Sequence, residues 1–207
     1  MTPAQMFNTF RNNIVVVRGT PASDPAGGPD YLKITPKNGA VGTVRAVGRS
    51  APCPVLQVDR AAAGDPGAFL TWICDYARDD IRYRTLSNAR PFCFTATMNG
   101  CTFGIGSAGA NGVLTVSHAN AFTVGQEGGL AQQSQRQKQM AVRNEPVRNF
   151  DPNHYDVGAA GGEPINTTTI GIYDAGAWSF YFQTYAGSGF NYVLRTFRKI
   201  DINSLSL

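Results

Sequence analysis

Short apolar runs, each closed by Pro, Gly, Asn or Asp, set the rhythm of this chain. Ile14 to Arg18 predicts a strand, and the stretch Gly19 to Pro29, dense in turn-forming residues, predicts a surface loop. Tyr31 to Thr35, Ala40 to Val47 and Val55 to Asp59 read as further strands, separated by Pro36, Asn38-Gly39 and Pro52, in a meander-like arrangement. From Pro66 to Asp79 the pattern changes. Asp65 can cap a helix, Pro66 suits its first position, and Phe69, Trp72, Ile73, Tyr76 and Ala77 recur at the spacing of one apolar stripe, so a helix is predicted there. Strands resume at Ile81 to Leu86, Phe92 to Thr97, Cys101 to Gly106 and Gly112 to Asn120. The polar segment Gly125 to Arg148, with Gln132, Gln133, Gln135, Gln137 and Gln139, reads either as a helix from about Leu130 to Arg143 or as a flap over a site. Thr168 to Ala186 and Phe190 to Ile200 read as a closing hairpin turning at Ser188-Gly189. The expected fold class is α+β. It is one domain over residues 1–207, with a β-sandwich-like core of mixed and antiparallel strands and flanking helices.

Composition narrows the function classes. In 207 residues, 43% are hydrophobic and only 15% charged, with 23 Gly and 12 Pro, which suits short strands and many turns better than a helical bundle. The net charge of +4 is mild. Its clusters, Arg136, Lys138, Arg143 and Arg148 in the middle and Arg195, Arg198 and Lys199 near the end, read as solvated faces. No basic run is interleaved with stacking aromatics, so no direct nucleic-acid partner is expected. No apolar run is long enough to span a bilayer, and Asn8, Asn12 and Asn13 stand where a signal peptide needs an apolar stretch. A monomer without a membrane partner is expected, leaving any producing cell without a cleaved Sec signal. Cys53, Cys74, Cys93 and Cys101 are too widely spaced for a disulfide scaffold and contain no C-x-x-C pair, so neither zinc nor another metal is expected.

One stretch carries chemistry. The strand Cys101 to Gly106 and the strand ending at His118 are joined by the small-residue loop Ser107 to Gly112. A hairpin symmetric about the middle of that loop pairs Ile105 with Leu114, Phe103 with Val116 and Cys101 with His118, all on one face because side chains alternate with period two. Opposed residues have Cβ atoms roughly 5 Å apart, within reach of a thiol–imidazole hydrogen bond, and an imidazolium there would lower the thiol pKa. Thr95 lies on the preceding strand. A three-residue connection through Met98-Asn99-Gly100 would pair Thr97 with Cys101 and bring Thr95 to the Cys101 face, whereas a two-residue Asn99-Gly100 turn would send it to the other; periodicity does not choose.

The run Thr95-x-x-x-Asn99-Gly100-Cys101, with His118 on the next strand, resembles the catalytic segment of the Burkholderia lethal factor and cytotoxic necrotizing factor family of glutamine deamidase toxins. The family pattern sets a Thr ahead of a Leu-Ser-Gly-Cys motif and a His beyond it. Met98-Asn99-Gly100-Cys101 keeps the Gly-Cys pair and departs at the two positions before it. Gly171-Ile-Tyr-Asp-Ala-Gly176 through Thr196-Phe-Arg-Lys199 is similar to the closing hairpin of the lethal factor.

The resemblance implies the fold of the cytotoxic necrotizing factor catalytic domain and a cofactor-free hydrolysis of a protein glutamine to glutamate through a Cys101 thioester. His118 would act as acid and base, with Thr95 orienting it through its hydroxyl or carbonyl. Backbone N–H groups near Gly100 and Cys101 are the implied oxyanion donors. It further implies a secreted bacterial virulence factor acting in the host cytosol. The implied partner is a host protein bearing the target Gln, a translation-initiation helicase before a Rho-type GTPase. Two other readings stand beside it: a cysteine peptidase or transglutaminase using the same nucleophile, and a non-catalytic β-rich binding module. The segment Asp151-Pro152-Asn153-His154-Tyr155-Asp156 reads as a polar turn before a metal site, and His154 could replace His118 as the partner of Cys101.

Overall fold

The computed structural model of the chain describes residues 1–18, 30–46, 49–77, 80–120, 134–140, 147–155 and 165–205. The fold is mostly β, with helices α1 (Pro3–Asn12), α2 (residues 134–140) and α3 (Pro152–Tyr155). The strands are β1 (Ile14–Val17), β2 (Asp30–Pro36), β3 (Val41–Ala46), β4 (Arg49–Cys53), β5 (Val55–Arg60), β6 (Phe69–Cys74) and β7 (Ile81–Leu86). They continue as β8 (Phe92–Thr95), β9 (Thr102–Gly106), β10 (Leu114–Ala119), β11 (Val147–Phe150), β12 (Ile165–Asp174), β13 (Ala177–Ser188) and β14 (Asn191–Lys199). The α+β expectation and the presence of two sheets agree with this architecture.

Ten strands form one sheet in the order β1-β5-β2-β6-β8-β12-β13-β14-β3-β4. β4 and β5 stand at or next to opposite ends of that order, yet Pro54 alone joins them, so the sheet must curl until its ends meet. Ile14 and Val55 accordingly pack against Tyr185, Tyr192 and Leu194 from the far side of the order. The concave side is filled by α1, whose buried Met6 and Phe10 lie among Leu32, Val58, Ile73, Phe94 and Ile170. Helix α1 was not among the expected elements. Its signal is local: Thr2 and Gln5 form a reciprocal capping box, with Pro3 at the first position.

The first third of the chain is not a meander. β1 pairs with β5 in parallel and β3 pairs with β14, also in parallel, so the early strands reach across the sheet. Where a helix is predicted over Pro66–Asp79, Phe69–Cys74 instead form β6, a central strand between β2 and β8, and residues 78–79 lie outside the described residues. Gly67 takes φ 78, which stops helix propagation just after the capping residues, and Thr71 and Ile73 bury alternate positions with β-strand period. The closing segment contains two reversals rather than one, because Ala175 (φ 48) and Gly176 (φ 87) turn the chain between β12 and β13 before Gly189 turns it again. The predicted loop Gly19–Pro29 lies outside the described residues.

The second sheet has four strands in the order β11-β9-β10-β7. Its inner face, with Leu86, Phe103, Ile105, Leu114, Val116 and Phe150, packs on Cys74, Cys93, Trp178, Phe180 and Phe182 of the large sheet. Ring pairs Phe103–Phe180 at 5.6 Å and Phe150–Phe182 at 4.7 Å join the two layers. Cys101 belongs to this inter-sheet core.

Candidate functional site

After Thr95 the chain does not turn back on itself, as either hairpin reading of Thr95 required. Thr97 donates its amide to the Val17 carbonyl, and Met98 and Thr167 exchange both main-chain bonds, so the chain stays on the large sheet until it crosses to the small one. Gly100 makes the crossing with φ 83, and a Cβ there would meet nothing within 4 Å. Glycine is thus required by the backbone angle and leaves the main chain open to approach.

Cys101 sits one residue before β9 and belongs to the inter-sheet core, with 7% of its surface exposed. His118 is on β10, opposite Phe103 on one side and Arg82 of β7 on the other. The expected direct pairing of Cys101 with His118 is therefore corrected by two residues. The reversal centres on Ala110 and Asn111, because Asn111 (φ 59) and Gly112 (φ 71) are consecutively left-handed, and not on the middle of the small-residue loop. A shift of two keeps every side chain on its face. His118 and Cys101 remain on the same side of adjacent segments, diagonal neighbours about 7 Å apart by ladder geometry, and they share no hydrogen bond.

His118 is fully buried, near the Tyr76 ring at 6.0 Å, and neither ring nitrogen has a hydrogen-bond partner among the described residues. Burial lowers its pKa from 6.5 to about 4, and the nearby Cys74 main chain opposes that only in part without reaching hydrogen-bond geometry. The thiol behaves oppositely: burial raises Cys101 from 9.0 to about 11, against a lowering contribution from the Asn99 main chain. The expected thiolate–imidazolium pair is thus replaced at rest by a neutral thiol and a neutral imidazole, because desolvation outweighs any mutual attraction.

Thr95 does not orient His118 through its hydroxyl. That oxygen lies 2.6 Å from Thr169 Oγ1 and accepts from the Thr169 amide. Thr95 stands beside Cys74 on β8 and β6, and the Cys74 main chain is the one that raises the His118 pKa. Sequence spacing could not reveal Cys74 in this place, since a strand 44 positions upstream of His118 brings it in. Cys74 and Cys93 are buried with thiols held high, Cys74 at about 12, and Cys53 is half-buried.

His154 occupies the turn α3. Its Nδ1 lies 2.8 Å from Asp151 Oδ1, and Asp151, fully buried, also pairs with Arg136 of α2 and accepts from the Asn153 amide. The next residue, Tyr155, donates its hydroxyl to the Cys101 carbonyl at 2.7 Å. Asp156 lies outside the described residues. Of the Gln-rich segment, residues 134–140 are helical, as one of its two readings had it. Gln135 and Gln139 are buried, Gln139 against Gly104 on the outer face of the small sheet, and Gln132 and Gln133 lie outside the described residues. Gln135 Nε2 donates to the Gly100 carbonyl at 3.3 Å. Sequence reasoning missed Gln135 and Tyr155 as neighbours of the Gly100-Cys101 step.

No model of a known protein family matches the chain, and no curated protein does. The functional reading therefore rests on the Thr95, Gly100-Cys101 and His118 pattern and on the geometry just described.

Proposed function

We propose that this chain is a cysteine-dependent protein-glutamine deamidase with the fold of the cytotoxic necrotizing factor catalytic domain. The observation that carries the reading is the thiol of Cys101 behind a left-handed, open Gly100, with His118 on the same face one rung away. Such a pair suits nucleophilic attack on an amide. The exposure of Cys101, only 7%, favours a slender side-chain carboxamide over a threaded peptide backbone, and so a deamidase over a peptidase.

The resting protonation states set the order of events. Neutral His118 takes the thiol proton as Cys101 Sγ bonds to the carboxamide carbon, and the carbonyl oxygen becomes an oxyanion near the Cys101 amide. The imidazolium then gives its proton to the departing nitrogen, and ammonia leaves a thioester. His118 next takes a proton from water, hydroxide adds to the thioester, and the thiol is released reprotonated beside a glutamate. The substrate would be a host protein, a translation-initiation helicase or a Rho-type GTPase, met by a secreted bacterial effector.

The test is Gln-to-Glu mapping by mass spectrometry in host-cell lysate. Conversion at one or a few glutamines by the wild-type chain, absent with Cys101→Ser, supports the reading. A lysate left unchanged, or changed equally by both proteins, refutes it. Incorporation of an added primary amine in place of water would reassign the chain as a transglutaminase.

A further inference from the structure

The two main-chain carbonyls flanking the Cys101 residue are each held by a side chain from a different element. Gln135 of α2 donates to the Gly100 oxygen at 3.3 Å, and Tyr155 of α3 donates to the Cys101 oxygen at 2.7 Å. In a trans peptide the C=O of one residue and the N–H of the next point in opposite directions across a rigid plane. A grip on the Gly100 carbonyl therefore aims the Cys101 N–H, and a grip on the Cys101 carbonyl aims the Thr102 N–H. Among the described residues no main-chain acceptor engages the Cys101 N–H.

Stability alone does not account for Gln135. It is 1% exposed, and among the described residues its Oε1 has no partner, so burying the amide leaves an acceptor unsatisfied in return for a single bond to Gly100. Gly100 itself is in the left-handed region, with open space where a Cβ would lie, so nothing in its own side chain fixes the peptide that follows. The orientation must come from outside, and Gln135 supplies a hydrogen bond at that point.

We infer that Gln135 and Tyr155 are positioning residues that build the oxyanion hole of the proposed deamidase: Gln135 fixes the Cys101 amide toward the oxygen of the substrate carboxamide through the Gly100 carbonyl, and Tyr155 holds the next peptide plane, with its Thr102 amide, through the Cys101 carbonyl. The inference rests on the deamidase reading. It adds two residues, from helices outside the strand pair, to the Gly100-Cys101 main chain.

Removing either donor should weaken stabilisation of the oxyanion without disturbing the nucleophile. Tyr155→Phe and Gln135→Leu are each expected to lower kcat for glutamine deamidation by about ten- to a hundredfold, with KM within about twofold, a fraction of the loss seen when an oxyanion donor itself is removed. Alkylation of Cys101 by iodoacetamide builds no oxyanion, and should stay within about twofold of wild type in both variants. The Cys101 amide resonance in a 15N-labelled sample should shift in both, and thermal unfolding identifies a variant that has lost its fold, in which case the other decides. Deamidation and alkylation falling together would overturn the inference in favour of a general packing role, as would variants that deamidate at the wild-type rate. A wild-type chain inert toward every glutamine overturns the deamidase reading and this inference with it, so the two failures are told apart by the parent protein.

Discussion

Two buried polar regions flank the end of β6, and they are built in opposite ways. On one side Asp30, nearly buried, accepts from Arg60 at 3.0 Å, from Arg84 at 3.1 Å and from the Ile73 amide at 3.1 Å, while Arg60 also reaches Asp75 at 2.6 Å. On the other, His118 is buried with both nitrogens unpartnered among the described residues, one rung from a thiol to which it is not hydrogen-bonded. Charges taken out of water are tolerated where hydrogen bonds close around them, as at Asp30. A buried imidazole left open has no such compensation. The first region closes its polar groups within the protein, and the second leaves hydrogen-bonding capacity open that, on the deamidase proposal, serves the substrate.

Substitutions in the two regions should separate stability from activity. Cys101→Ser is expected to lower glutamine conversion by about 10⁴-fold or more, the scale on which loss of a catalytic nucleophile acts, while unfolding free energy moves by less than about 1 kcal/mol. Asp30→Ala should do the reverse. Leaving Arg84 buried without its carboxylate should cost about 3–5 kcal/mol in urea unfolding, with conversion per folded molecule changed little. Equal losses of stability in both variants would erase the contrast.

The pH dependence of stability sharpens the comparison further. Burial holds the folded pKa of His118 at about 4, whereas the ring in the unfolded chain titrates near 6.5. Between those values only the unfolded chain takes up the proton, so stability falls as pH drops from 6.5 toward 4, by up to about 3 kcal/mol, and this contribution is flat above the window. Urea midpoints from pH 8 to pH 4 should show that decline in the wild type, and His118→Leu should remove most of it. An unchanged decline in the variant would assign the acid sensitivity to other groups.

The strands were legible where a β-branched run or an alternating one is bounded by turn residues, as at Ile14–Val17 and Ile81–Leu86. Pro66–Asp79 misled because Phe69, Trp72, Ile73 and Tyr76 satisfy a helical stripe, while the feature that decides, Gly67 in the left-handed region with strands waiting on both sides, is tertiary in part. The α1 capping box was present in Thr2 and Gln5 and went unread. At the site, parity could be read and register could not: two left-handed residues in the loop move the pairing by two without changing the face. Thr95 was reached through resemblance, and its hydroxyl turns out to be engaged by Thr169. Gln135 and Tyr155 come from helices more than 30 residues downstream, and nothing local in the Gly100-Cys101 segment announces them.

The closest test of the central claim is the rate of Cys101 alkylation by iodoacetamide from pH 6 to pH 11 in the wild type, His118→Ala and His154→Ala. If His118 is the base that serves this thiol, the wild type should react at neutral pH despite a thiol raised to about 11, His118→Ala should react about tenfold or more slowly there and converge with it above pH 10, and His154→Ala should follow the wild type. Superimposable wild-type and His118→Ala profiles would contradict the account, and a slow His154→Ala beside a normal His118→Ala would move the base to the Asp151–His154 pair.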